Sequence, residues 1–277
     1  MNAVELQEAL SRGTRVYGTL ITSNSPKLPG HIGSLGMDFV FIDTEHISID
    51  RHELSWMCQA YKALGLAPIV RIPSPDPYAA TMVLDGGANG VIVPYVETVE
   101  QVQALRGAVK YRPLRGQKLE NILNGTEACD GELERYIQDY NKHNLLIINI
   151  ESKPAMEALD DILQVPDIDA VLIGPHDLSC NLNVPEQYDN PVFLKAVEEI
   201  IDKARSRGIG AGIHYWIGTE RQIEWAKRGL NLIIQSSDIT TFIEYLGKDL
   251  STIKAALGDQ ARPRVFLFKE VVQKVTF

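Results

Sequence analysis

The dominant pattern along the chain is a short apolar run rich in β-forming residues, followed by a longer segment with helical periodicity, and this pair repeats. Eight runs are read, at residues 16–22, 39–43, 67–72, 90–95, 145–151, 170–174, 210–214 and 232–235. Most are continuously apolar rather than alternating, as expected of parallel strands covered on both faces. Helical patterns lie between them, for example at 97–109, 154–164, 191–207 and 219–228. Strands alternating with helices make a parallel sheet, either closed or open. Eight repeats favour closure into a (β/α)8 TIM barrel, and no strand is followed by the G-x-G-x-x-G turn of a dinucleotide-binding sheet. The expectation is an α/β chain with one barrel domain over residues 1–261.

Two segments break the rhythm. Residues 112–144 are too long for a simple connection and read as polar turns and then a helix, the kind of insertion that forms lids or substrate walls. The last segment, RPRVFLFKEVVQKVTF at 262–277, is apolar for a chain end and is expected to contact a second subunit.

Length and charge narrow the partners. The 277 residues suit a barrel, which typically needs about 250. A formal net charge of −9 and the absence of a long basic run disfavour nucleic acid, while leaving small anionic substrates possible. Cys58, Cys129 and Cys180 are widely spaced and form no disulfide framework. MNAVELQEALSRG reads as an amphipathic helix rather than a signal peptide, and no run approaches the roughly 18 apolar residues of a membrane span. A cytoplasmic enzyme is expected.

In such barrels the chemistry gathers where the strands end. The second run ends in Asp43-Thr44-Glu45-His46, the third at Arg71, the fifth at Glu151, the sixth in Gly174-Pro175-His176-Asp177 and the seventh at His214. Glu151 and Asp177 lie on adjacent strand ends, a suitable oxygen pair for Mg²⁺ or Mn²⁺. The alternative is an ion pair for Glu151 and a helix cap for Asp177. Arg71 needs an anionic partner, either a protein carboxylate or a substrate oxygen. His46 is a candidate general base, and Asp85, which ends a helical segment at 76–85, is a candidate partner for it. No strand ends in lysine, and Lys153 sits at a helix start, which points away from a Schiff base.

FIDTEH, PIVRIP, VLDGGANGVIVPYVET, IESKPAMEALDDIL and DAVLIGPHDLS, in that order, closely resemble the HpcH/HpaI aldolase family, the class II pyruvate aldolases, over about residues 16–258. The resemblance implies a (β/α)8 barrel, a homo-oligomer (a hexamer built as a dimer of trimers), and a divalent metal such as Mg²⁺, Mn²⁺ or Co²⁺. It implies reversible cleavage of a 4-hydroxy-2-oxo acid to pyruvate and an aldehyde through a metal-stabilised enolate. Carried onto this chain, Glu151 and Asp177 match the metal ligands, Arg71 the residue on pyruvate's oxygens, and His46 with Asp85 the acid/base dyad. Asp43 matches the first position of the family's D-G-E-H motif. The backbone around Gly174, Pro175, His176 and Asp177 matches the pyruvate carboxylate site.

Several positions depart from the family pattern. Thr44 stands where glycine is common, Asn149 where glutamine is common, and His176 where alanine is common. The arginine loop is shortened to Arg112-Pro113-Leu114-Arg115-Gly116. His176, His214 and residues 124–136 are therefore expected to bear on selectivity for the aldehyde. Other uses of the same site are oxaloacetate decarboxylation, cleavage of a hydroxyacyl-CoA, or binding of a 2-oxo acid without catalysis.

Overall fold

The computed structural model describes residues 1–259, so the apolar segment expected to contact a second subunit lies outside the described residues. The chain begins with α1 (Ala3–Arg12), then runs β1 (Val16–Ile21), α2 (Leu28–Ile32), β2 (Phe39–Asp43), α3 (Arg51–Ala63), β3 (Ala67–Arg71), α4 (Pro77–Asp85) and β4 (Gly90–Val93). It continues through α5 (Val99–Lys110), α6 (Gly116–Leu123), α7 (Gly131–Asn141), β5 (Leu145–Ile150), α8 (Lys153–Glu157), α9 (Leu159–Ile162), β6 (Ala170–Ile173) and α10 (Pro175–Asn181). The remaining elements are α11 (Pro191–Ser206), β7 (Gly210–Tyr215), α12 (Glu220–Arg228), β8 (Leu232–Ser237) and α13 (Asp238–Leu257). All eight strands pair in parallel, in sequence order, and β8 closes on β1. The (β/α)8 barrel expected from the repeat is the fold.

Period two divides every strand between two cores. Phe39, Phe41, Ala67, Ile69, Ile92, Leu145, Ile147, Ala170, Leu172, Leu232 and Ile234 point inward and fill the barrel. Val40, Ile42, Val70, Val91, Ile148, Val171 and Ile213 point outward and pack against the helices. Continuing the inward parity to the upper rim brings Asp43, Arg71, Asn149, Glu151 and His214 onto the same inner face.

The lower end of the barrel is closed by α1. Asn2 caps this helix, accepting from the Glu5 N–H while the Glu5 carboxylate accepts from the Asn2 N–H. Ala3, Leu6, Ala9 and Leu10 then join the inner core rather than the outer one. Asn231 and Arg205 both donate to the Leu10 carbonyl, at 2.8 and 2.9 Å, and so fix the helix end. The amphipathic N-terminal segment is thus a plug.

Two expectations change in detail. Residues 112–144 form two helices, α6 and α7, rather than turns and one helix. The helix expected over 154–164 is two short helices separated at Ala158.

Leu6 is fully buried in the plug. Leu6→Ala is therefore expected to cost about 2–5 kcal/mol and lower Tm by about 5–15 °C, read by calorimetry, with turnover of the folded protein retained. An unchanged Tm would show that α1 does not close the barrel.

Candidate active site

The register of β2 and β3 places Asp43 beside Arg71, both on the inner face. Arg71 donates from Nε and Nη2 to the two oxygens of Asp43, at 2.8 and 2.6 Å, a bidentate pair. Glu45 approaches the same Nε at 3.2 Å, and the guanidinium lies over the Phe41 ring. Of the two partners foreseen for Arg71, the protein carboxylate is present. Even so, Arg71 lines the mouth cavity, and no bond from Nη1 is seen among the described residues.

Glu151 stands one residue past β5 and is 2 % exposed. Its Oε1 accepts from the Tyr95 backbone N–H at 2.7 Å and its Oε2 from Asn149 Nδ2 at 2.9 Å. A Cβ at Gly174 would lie 2.1 Å from that same Oε2, so the carboxylate occupies space that only glycine leaves open. Asp177, in the first turn of α10, accepts from the Tyr95 hydroxyl at 2.7 Å through Oδ1. One residue therefore touches both carboxylates that the sequence singled out as metal ligands.

The charges are unbalanced. Burial pushes Glu45 up to about 7, and Glu151, Asp43 and Asp177 raise it further despite Arg71. Burial likewise pushes Glu151 up to about 7, with Asp177 adding to the rise and the Tyr95 N–H and Arg71 opposing it. Four carboxylates thus share one guanidinium, and burial with like charge places two of them close to half-protonation at neutral pH.

The imidazoles do not supply that charge. Burial, and then Arg71, lowers His46 below its ordinary value. Burial takes His214 down to about 4, and its Nε2 lies 3.0 Å from the Ser236 carbonyl, which fixes that nitrogen as the N–H donor. His214 also packs against Phe41 and Trp216 and forms a neutral wall.

A cavity of about 40 Å³ lies at the centre, lined by Arg71, His46, Asn149, His176, Asp177 and His214 among others. Gly174 and Pro175 complete its rim. Asn149 Oδ1 is buried and has no hydrogen-bond partner among the described residues, which leaves one acceptor open at the cavity.

This donor set fits a hard divalent cation. Among the described residues no three His, Cys, Asp or Glu side chains form a complete cage. Two carboxylates with substrate and water completing the shell is, however, the usual arrangement for Mg²⁺. The excess negative charge and the orphaned Asn149 oxygen agree with it.

Asp85 does not join the site. The helix α4 runs from the upper rim back to the lower one, so its last residue lies at the opposite end of the barrel from His46. There Asp85 forms an ion pair with Arg112, beside a separate hollow of about 430 Å³ that also includes Arg115 and Tyr140. The His46–Asp85 pair expected from sequence is not made within one chain. Glu45 is the carboxylate beside His46, at 3.6 Å. Lys153 is exposed and faces Glu157 at 3.7 Å, away from the mouth.

Sequence reasoning missed Tyr95, Glu45, Phe41 and Trp216. Glu45 and Phe41 were within reach of it, since Phe41 shares the inward parity of Asp43, and Glu45 sits inside the recognised FIDTEH block. The phenol of Tyr95 carried no comparable signal.

Residues 17–244 match the HpcH/HpaI aldolase/citrate lyase family. A 2-keto-3-deoxy-L-rhamnonate aldolase of Klebsiella pneumoniae is 30 % identical over 269 residues, covering 95 % of this chain and 98 % of its own. The HpcH/HpaI aldolase of Desulfitobacterium hafniense superposes with a TM-score of 0.77 at 27 % identity, over 90 % of this chain and 96 % of the other. The citrate synthase SbnG superposes with a TM-score of 0.79 at 28 % identity, over 92 % and 99 %. No helix among the described residues is long and apolar enough to cross a membrane. The chain belongs to the HpcH/HpaI aldolase/citrate lyase family, as a class II pyruvate aldolase, a carbon–carbon lyase.

Proposed function

We propose that this chain cleaves a 4-hydroxy-2-oxo acid of the 2-keto-3-deoxy sugar-acid type, the class named for its rhamnonate aldolase relative, with a divalent cation held by Glu151 and Asp177. The observation that carries this reading is the pair of carboxylates bracketed by Tyr95 in a mouth with surplus negative charge. Mg²⁺, Mn²⁺ or Co²⁺ bound there would supply Lewis acidity to the oxygens of the 2-oxo acid.

The protein's own groups do the rest. Arg71, held rigid by Asp43, offers Nη1 to the keto oxygen as charge develops on it. His46, kept neutral by its lowered pKa, accepts the proton of the C4 hydroxyl. The C3–C4 bond then breaks, its electron pair passes into the enolate of pyruvate, and the aldehyde leaves. Protonation of the enolate carbon completes pyruvate. The backbone from Gly174 to Asp177 is suited to the substrate carboxylate, and Asn149, His176 and His214 wall the pocket. The similarity to a citrate synthase keeps a second reading alive, in which the same site forms its enolate from oxaloacetate or serves a CoA-linked acid. Pyruvate release from oxaloacetate, measured beside a panel of hydroxy-oxo acids, separates the two.

In D₂O with Mn²⁺ the enzyme is expected to exchange the methyl protons of pyruvate, and chelation is expected to stop the exchange. Arg71→Ala is expected to lower kcat and this exchange by about 10²–10³-fold. If kcat is retained while KM rises, Arg71 only binds substrate and the role assigned to it is wrong.

The raised pKa of Glu151 sets the pH dependence of cation binding. Below about 7 the carboxyl holds a proton that the cation must displace, and above it the carboxylate is already bare. Apparent Mn²⁺ affinity, followed by calorimetry, should rise by up to about tenfold per pH unit towards pH 7 and level off above it. A flat profile between pH 6 and 8 contradicts the assignment of Glu151.

A homo-oligomer, expected as a hexamer, is the proposed assembly. It is supported by the exposed apolar stripe Ile239, Phe242, Leu246, Leu250, Ile253 and Leu257 along α13. Only across copies can Asp85 serve His46. Mixing inactive His46→Ala and Asp85→Ala proteins under exchange conditions should then restore part of the activity. Activity that stays absent in verified mixed oligomers removes Asp85 from the mechanism.

A further inference from the structure

We propose that Tyr95 is a positioning residue that yokes the two cation-binding carboxylates, its backbone N–H fixing Glu151 and its phenol fixing Asp177. The proposal rests on the reading of the site given above and adds to it a determinant of cation affinity that acts through the two carboxylates.

Glu151 follows β5 and Asp177 opens α10 after β6, so the two arrive on separate elements. They carry like charge, and Asp177 raises the pKa of Glu151, so a donor that touches both carboxylates favours their approach. Tyr95 comes from a third element, two residues beyond β4. Its φ of +48° is the left-handed region, which a non-glycine residue adopts only at a cost. In that conformation the N–H reaches Glu151 Oε1 and the hydroxyl reaches Asp177 Oδ1, each at 2.7 Å.

The ring is 41 % exposed, so core packing does not explain an aromatic side chain here. What the side chain contributes is a donor at the end of a rigid arm. Each carboxylate keeps one oxygen outside this grip: Oε2 of Glu151, which Asn149 holds, and Oδ2 of Asp177. The arrangement pre-orients both carboxylates before a cation arrives, as hydrogen-bond partners of metal ligands do elsewhere.

The test is Tyr95→Phe, which keeps the ring and the backbone N–H and deletes one hydroxyl. The full-length protein is stripped of metal and titrated with Mn²⁺, read by calorimetry and by the electron spin resonance of free Mn²⁺. The Kd for Mn²⁺ is expected to rise about 10–100-fold, and the Mn²⁺ concentration giving half-maximal aldol cleavage should rise by the same factor. The Tm of the stripped protein should not change, because the hydroxyl supports no core. Unaltered or tighter Mn²⁺ binding by Tyr95→Phe overturns the proposal. Glu151→Gln, titrated in parallel, separates the two levels of the argument. If Glu151→Gln loses Mn²⁺ while Tyr95→Phe does not, the yoke is refuted and the site reading stands. If the parent protein itself binds no Mn²⁺, both fall.

Discussion

Electrostatic crowding at the upper rim is what the rest of this molecule is arranged to tolerate. Asp43, Glu45, Glu151 and Asp177 crowd around a single guanidinium, and the pKa values of His46 and His214 are lowered. A cluster of that kind raises the free energy of the metal-free fold, because carboxylates removed from water and from counter-charge must either take up protons or repel. Two of them, Glu45 and Glu151, are pushed up to about 7. Such a cost is offset by stability generated elsewhere in the fold, and a divalent cation would reduce it further with the oxygen chemistry already present.

The barrel can carry this burden because its stability is generated elsewhere. The inner core, closed below by α1, and the outer layer beneath the helices are each continuous and almost wholly apolar. The rim is the third zone, and strand parity alone decides which of its residues turn inward. Asp43 and Arg71 are partners in the β2–β3 register, so their bidentate pair follows from strand alignment rather than from loop conformation. Arg71 is therefore oriented by one of the most rigid parts of the fold, which suits a group that must meet developing charge without rearranging.

What could be read in the sequence follows the same division. The eight strands, the closed sheet and the gathering of Arg71, Asn149, Gly174, Asp177 and His214 at one mouth, with Glu151 bonded to Asn149 beside it, were legible, because apolar runs mark the strands and chemistry gathers where they end. The His46–Asp85 pair is not made within one chain, which strand-end reasoning alone did not foresee. A helix following a strand returns to the far end of the barrel, so Asp85 lies at the lower rim despite its suggestive place near a glycine pair. Tyr95 was hidden for a different reason. Its function depends on a left-handed backbone angle and on two partners far away in sequence, 56 and 82 residues on, and neither leaves a trace in residue type or spacing.

The position of Glu45 sharpens the acid–base argument. It lies against both Arg71 and His46, and its proton is balanced near neutrality, pushed up to about 7 by burial and by the carboxylates around it. A cation at Glu151 and Asp177 would draw that value down, since it offsets the very charges that raise it. Ionised Glu45 would then face both Arg71 and His46, so the charge of the group beside the candidate base would follow the occupancy of the carboxylate pair.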